Sequence, residues 1–343
     1  MIKSDARAIL RRVVPATDAA TWRELVEEAR WAPSPHNIQP WRLRPGPDGT
    51  AVLVCPPDRL LPDTDADGIF ISVGLGCFVE ALVVAAAARG LALEAERTGA
   101  APGGSEPVLR LSLGAGGADR LGAELLRMRR TSRLPYDGRP VEGELLRELA
   151  DIAANYGHEL NASSDRELVD WAVHLNRETL FFDMASPIAR HEVGHWLRFS
   201  DSEAERRRDG FSPSALGFPG WLLRLFFRRH GLLELPVLRR IVRLLYGRTM
   251  RGTRTIAWLR GPFATVEDGL AAGRMLMRLW LTMTQAGVQL HPFGSIITNP
   301  KANALLQERI GREGATPWLI MRLGYSAEPP RSLRLETDEL LLA

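Results

Sequence analysis

Two stretches of this chain align without a gap: Leu75-Gly76-Cys77-Phe78 through Ala88-Arg89-Gly90-Leu91, and Ala272-Gly273-Arg274-Met275 through Gln285-Ala286-Gly287-Val288. Each reads as a long helix with an early glycine, where the missing side chain admits a close neighbour. Each also ends on a glycine, where a left-handed residue can close the last turn. Any two buried helices can share such features. Gly76 matches Gly273 and Gly90 matches Gly287 in one register, however, and duplication of a half accounts for both. The first half would span residues 1–117, with a strand at Ala51 to Cys55, the helix, and a strand at Pro107 to Leu113; Gly99 to Ser105 reads as a surface connection. Residues 118–343 would form the second half, with an amphipathic run from Leu121 to Arg130, a helix from Pro140 to Ile152, a buried strand from Thr255 to Leu259 and a strand from Leu319 to Leu323. Helices alternating with short strands argue for an α+β fold.

A length of 343 residues, 45% hydrophobic and 25% charged, fits a soluble globular protein of two domains. The net charge of +3 gives no global case for nucleic acid, so only local basic clusters matter. Those clusters are arginine, because Lys3 and Lys301 are the only lysines. Cys55 and Cys77 are too few for a disulfide framework, and Met1 to Val14 lacks the apolar core of a signal peptide, so the expected compartment is the cytoplasm. The run from Ile69 to Ala88 is long and apolar enough to raise a membrane span. Glu80 inside it, with Gly74 and Gly76, favours a buried helix instead.

The segment from Arg30 to Trp41 displays Ser34, His36, Asn37 and Gln39 among Pro33, Pro35 and Pro40. A helix capped by Thr21, with Trp22, Leu25, Val26 and Ala29 on one face, cannot continue through those prolines. The amides then sit just past a helix end. Asn and Gln carry donors and acceptors together, which suits a flat heterocycle such as the pyrimidine edge of a flavin. They equally suit a turn that closes local backbone bonds.

The string resembles the Ala-Pro-Ser-x-x-Asn-x-Gln-Pro-Trp signature of the nitroreductase superfamily, whose members bind FMN. Arg322-Leu323-Gly324-Tyr325, followed by Pro329-Pro330-Arg331-Ser332-Leu333-Arg334, is similar to that family's closing strand and arginine-bearing tail. Arg129-Arg130-Thr131-Ser132-Arg133 resembles its Arg-Arg-Ser-x-Arg phosphate element. In ordinary members that element precedes the proline loop; here it follows by about a hundred residues. The inverted order points to the Acg-like branch, in which two fused nitroreductase-like halves form a pseudo-dimer within one chain. The resemblance implies one FMN per chain, NAD(P)H as electron donor and a small-molecule substrate. Arg129, Arg130, Thr131, Arg133, Arg331 and Arg334 would serve the phosphate, since guanidinium forks match its oxygens. Pro33, Ser34, Pro35, Asn37 and Gln39 would face the ring. Phe293, Gly294 and Ser295 stand where relatives have a turn whose amides meet the flavin's reactive nitrogen. No catalytic residue is singled out, because flavin chemistry depends on stacking and backbone amides more than on an acid or base. A flavin-sequestering protein with little turnover is the alternative. Only one complete set of parts is visible, unless Arg11 and Arg12 serve the first half. A fused pair has no need to dimerise, so a monomer is expected.

Two features compete with this reading. His191-Glu192-Val193-Gly194-His195 fits the His-Glu-x-x-His zinc-hydrolase helix, with Asp201 as an available third ligand. Arg198 stands where the usual glycine would be, Arg190 adds positive charge, and Glu192, Trp196 and Arg198 also match a helix ending of the resembled family. The second feature is an insert at about 201–254. From Gly217 to Arg260 it is rich in arginine with one acid, Glu234, among Trp221, Leu222, Leu223, Leu225, Phe226, Phe227, Leu232 and Leu233. Pro213, Pro219, Gly220, Gly231 and Pro236 divide it into short helices, which suits a lid over the flavin. Packing, or peripheral contact of 217–254 with a membrane surface, stays open; stable membrane insertion and nucleic-acid binding are not expected.

Overall fold

One unit of sheet and helix occurs twice. In the first copy, α1 (Ala19–Ala29) leads to β1 (Arg42–Pro45), β2 (Thr50–Val54), α2 (Ile69–Ala87), β3 (Leu91–Arg97) and β4 (Leu109–Ala115). Then come α3 (Glu124–Met128), α4 (Gly143–Ala154), β5 (Glu159–Ser163), α5 (Arg166–Ala185), α6 (Pro187–His195), α7 (Asp201–Arg207), α8 (Pro213–Leu216), α9 (Gly220–Arg228) and α10 (Pro236–Thr249). The chain closes with β6 (Thr255–Arg260), α11 (Val266–Gln285), β7 (Gln289–Pro292), α12 (Gly294–Thr298), α13 (Pro300–Ile310), β8 (Pro317–Gly324) and α14 (Thr337–Leu340). The two antiparallel sheets have orders β1-β2-β4-β3 and β5-β6-β8-β7. Strand for strand these are the same topology, with α2 and α11 in the same place. The computed structural model describes residues 19–229, 235–312 and 316–343. The expectations for Met1–Val14 with Arg11 and Arg12, and for Gly231, Leu232, Leu233 and Glu234, fall outside the described residues, as does the side chain of Phe226.

The helix pair at the centre is where the repeat has its physical meaning. A Cβ built on Gly76 would overlap the carbonyl oxygen of Leu270 and come within 3.0 Å of Gly273 Cα. One built on Gly273 would overlap the carbonyl of Val73. In the gapless alignment Val73 is the counterpart of Leu270, so each glycine meets its partner helix in the same way. Cys77 Sγ donates to Gly273 O at 3.2 Å across the crossing. Gly90 (φ 69°) and Gly287 (φ 72°) close their helices left-handed, as the sequence predicts. Buried residues run along α2 from Ile71 to Ala86, Trp41 stacks on Phe78 at 4.8 Å, and Arg274 holds the buried Glu80 at 2.8 Å. The apolar run at Ile69 is therefore a core helix of this fold.

Local signals explain most remaining elements. α1 buries Trp22, Leu25, Val26 and Ala29 as its spacing predicts, but it starts at Ala19. Thr21 lies inside it, because Ala19 and Ala20 are good helix formers and extend it backwards. Thr265 and Asp268 form a capping box at the start of α11. β6 and β8 are buried along their full length as the inner strands of their sheet. The run expected to be helical to Arg130 stops at Met128: Arg129 turns to ψ 126°, and the chain continues extended so that Thr131 bridges Leu290 next to β7. Likewise α4 begins at Gly143 rather than Pro140, with Glu142 still extended at ψ 137°.

Candidate functional site

The loop after α1 is a short turn, Pro35–Asn37, with three left-handed non-glycine residues close together: His36 (φ 47°), Asn37 (φ 56°) and Gln39 (φ 54°). Such backbone persists only where surroundings hold it. Here they do. Gln39 N donates to Ser34 Oγ at 3.0 Å, and Pro35, Ser34 and Pro40 sit over Gly74 of α2, where a Cβ would be 3.3–3.6 Å away. Asn37 Nδ2 donates to Gly210 O at 3.1 Å and Leu333 O at 3.0 Å. Gln39 Nε2 donates to Arg208 O at 2.9 Å, and its Oε1 accepts from Leu335 N at 2.8 Å. Both amides thus tie the loop to residues 208–210 and to the C-terminal tail. Asn37 Oδ1 is left buried with no partner.

Residues 208–210 form a strap over that loop. Gly210 N donates to Asn37 O at 3.1 Å, Arg59 Nη1 donates to Ile38 O at 3.0 Å, and buried Asp209 accepts from Arg59 Nη1 at 2.8 Å and Arg198 Nε at 3.0 Å.

Arginines gather beneath the strap. Arg129 is 5% exposed; its Nη2 donates to Trp31 O at 3.0 Å and its guanidinium lies 4.3 Å over the Trp280 ring. Its Nε and Nη1 are buried without partners, and burial lowers its pKa to about 10. Arg334, equally buried, donates to Ala32 O and Trp31 O, both at 3.3 Å. Burial and then the positive charges of Arg129, Arg30 and Arg331 bring it down to about 9. Arg331 lies 4.9 Å over the Trp31 ring. Arg130 donates to Pro329 O at 2.5 Å and pairs with the exposed Glu328. Among the described residues the buried Arg129 and Arg334 form no ion pair with a carboxylate, so this interior holds like charges together with donors unspent on Arg129; Arg331 is exposed at its edge, near Glu328.

A second cluster continues from it. Arg133 Nη1 donates to Ala215 O at 3.1 Å, and its guanidinium lies 5.4 Å from the Phe211 ring, which in turn is 5.3 Å from His36. Burial lowers Arg133 to about 10. Arg322, fully buried in β8, donates to His291 Nδ1 (3.2 Å), Thr249 O (2.8 Å), Ser132 O (3.2 Å) and Leu134 O (3.0 Å), with Tyr136 4.1 Å from its guanidinium. Burial, then Arg322 and Arg133, hold His291 well below the usual imidazole range. Phe293 sits edge-on to His291 at 5.6 Å; its N–H is spent on Ile320 O at 2.8 Å, Gly294 opens α12, and Ser295 bonds Asp183.

The proline loop, the arginine element and the tail therefore converge: His36 with Arg133, Asn37 with Leu333, and Arg129 with Arg334. Thr131 is committed to its backbone bridge with Leu290. Trp31, Phe211, Trp280 and Arg322 belong to the same interior and were missed as site residues. An arginine in the middle of an apolar strand was the available signal for Arg322.

His36 also makes the site pH-sensitive. Burial, then Arg133, lower its pKa to about 4 from 6.5. The unfolded chain therefore takes up the proton first, and stability falls as pH drops from about 6.5 towards about 4, where the folded imidazole protonates too. Urea midpoints measured across that window should slope downward with falling pH, and less steeply in His36→Gln.

The His-Glu-x-x-His segment does not assemble a metal centre. Glu192 is buried and accepts from Asp63 N at 2.8 Å and from Thr64 Oγ1, while the His191 side chain is 87% exposed. Among the described residues no group of three or more His, Cys, Asp or Glu could hold a metal ion.

The repeated topology and the crossed glycine helices define a fold of two fused, related halves, with the proline loop joined to the arginine interior. No family model matches the chain. It is 28% identical, over 93% of its length and 94% of the relative's, to the Mycobacterium tuberculosis protein named "Putative NAD(P)H nitroreductase acg". This similarity to the Acg protein runs along nearly the whole of both chains. Similar solved structures include a nitroreductase with bound FMN from Bacteroides fragilis (13% identity, 60% of this chain and 88% of that one, TM-score 0.35). Another is the FMN-dependent nitroreductase NfnB of Mycobacterium smegmatis in complex with NADPH (16%, 60% and 86%, TM-score 0.35).

Proposed function

We propose that the chain is an FMN-dependent oxidoreductase that takes electrons from NAD(P)H and delivers them to a small organic acceptor. The observation that carries this reading is the buried pair Arg129 and Arg334, which form no ion pair with a carboxylate among the described residues and in which Arg129 keeps two unpartnered N–H-bearing nitrogens. Buried charge of one sign is costly unless a counter-charge completes it, and a phosphate dianion matches these forks. Arg129, Arg130, Arg331 and Arg334 would hold the phosphate. Arg133, Asn37 and the loop prolines would border the ring, with Asn37 Oδ1 the acceptor left for a ring N–H. Bound there, FMN supplies the hydride and electron chemistry. The chain orients the cofactor and excludes water, and Arg133 and Arg322 put positive charge where reduction would build negative charge. The halves divide near residue 117 and share one flavin in a monomer, with 201–254 as a lid. A reducing cytoplasm suits the free, buried Cys55 and Cys77.

The strap favours one other reading. Residues 208–210 are bonded across the loop, and a lid that stays shut would keep donor and acceptor out, leaving a flavin-sequestering protein. An absorption spectrum of the purified or FMN-reconstituted protein tests the common part: about one FMN per chain is expected, and a chain that takes up none, or two, overturns it. Anaerobic bleaching by NADPH then separates turnover from storage. Arg129→Ala and Arg334→Ala should each weaken FMN binding by tenfold or more, since hydrogen bonds to charged groups are worth about 1.5–3 kcal/mol. Equilibrium dialysis reads this directly.

A further inference from the structure

Large apolar side chains left in solvent are concentrated in one place. Of the nine found exposed among the described residues, six lie between positions 221 and 244: Trp221 (69%), Leu225, Leu235, Val237 (70%), Ile241 and Leu244 (62%). On α10 they are not the outcome of a poorly seated helix. Its inner face is fixed: Val242 and Tyr246 are buried, Tyr246 Oη accepts from Asn176 Nδ2 at 2.6 Å, and Arg243 pairs with Glu178 of α5. Val237, Ile241 and Leu244 recur three and four residues apart on the outer side, so α10 carries a second apolar stripe that packing inside this chain does not use.

The charges beside that stripe say what would cover it. Arg239, Arg240 and Arg248 on α10, and Arg224, Arg228 and Arg229 on or just after α9, are exposed and meet no carboxylate among the described residues. From Gly217 to Arg260 the sequence has ten arginines and one acid. A second copy of this chain would set this surplus against itself, which like charges oppose. An anionic lipid surface offers both complements, phosphates at the headgroup level and acyl chains beneath. We infer that α9 and α10 dock the protein peripherally on anionic membranes, with Trp221, Val237, Ile241 and Leu244 entering the headgroup boundary and the arginines pairing with lipid phosphates.

Vesicle flotation of the full chain tests this, using equal parts phosphatidylglycerol and phosphatidylcholine against phosphatidylcholine alone. Binding to the mixed vesicles, about tenfold or more weaker on the neutral ones and reduced by high salt, is the expected result. The triple substitution Val237→Glu, Ile241→Glu, Leu244→Glu should abolish it with the thermal midpoint unchanged, and Arg239→Gln with Arg240→Gln should weaken it while leaving the stripe intact. No binding to either vesicle, equal binding to both, or full binding by the triple variant overturns the inference. So does a dimer in light scattering that the triple variant dissolves, which would assign the stripe to a second copy.

Discussion

Gly273→Leu is expected to cost the chain its native fold. A Cβ at that position overlaps the carbonyl of Val73, and the obstructing atoms are backbone on the partner helix, which cannot swing aside as a side-chain tip can. The two helices would have to separate along the most extensive helix–helix interface among the described residues. Overpacking a well-filled core typically costs about 1–3 kcal/mol, and a backbone obstruction at the central crossing belongs at or above about 3. Gly76→Leu should be as damaging, because it meets Leu270 in the mirrored contact. The double variant should cost less than twice either one, since both open the same gap. Gly247→Ala in α10 is the control: nothing lies within 4 Å of its added methyl, so it should be neutral or slightly stabilising. Urea unfolding of the four variants decides the matter, and a wild-type midpoint for Gly273→Leu would refute the crossing.

Asp209→Ala should destabilise by about 3–5 kcal/mol, the range for removing one partner of a buried ion pair. Asp209 is 3% exposed and Arg198 is 2% exposed, while Arg59 also reaches the same carboxylate. Truncation leaves Arg198 in the interior with no counter-charge, and Arg59 with only the exposed Asp58 at 3.4 Å. Its consequences should spread along the strap, because Arg208 and Gly210 are the neighbours that hold Gln39 and Asn37. Hydrogen exchange in Asp209→Asn, which keeps the shape and one acceptor, should therefore rise at residues 36–39 and 208–211 before it rises in α2. Uniform protection across the chain would mean that the strap is not an independent unit.

Much of this was legible. The prolines ended α1 where they should, and the terminal glycines of α2 and α11 took up left-handed φ, because both effects are local to the residue. The three elements attributed to flavin binding do meet. Non-local partners were not readable: Asn37 Nδ2 and the Gln39 amide bond to backbone some 170 and 296 positions away, which no loop composition announces. Arg322 is buried because carbonyls from two separate segments, Ser132 with Leu134 and Thr249, turn towards it. β5 (Glu-Leu-Asn-Ala-Ser) is too polar to signal a strand and exists because it pairs with β6. The His-Glu-x-x-His string was ambiguous for the same reason, since its glutamate caps a loop more than a hundred residues earlier in the chain.

The helix crossing also changes what mutation can do. In a two-fold homodimer every substitution near the axis is made twice, so a residue there must be compatible with its own image. Here Glu80, Arg274 and Arg278 form an ion cluster on one side of the crossing, while their counterparts in the repeat are Met277, Cys77 and Ala81. A lone carboxylate mirrored onto both helices would add a second buried charge, whereas in the fused chain Glu80 is introduced once and answered by Arg274 and Arg278 of the partner helix. Joining the halves has freed each to specialise without paying that double cost, and the crossing glycines, which still match, mark the place where neither has been able to.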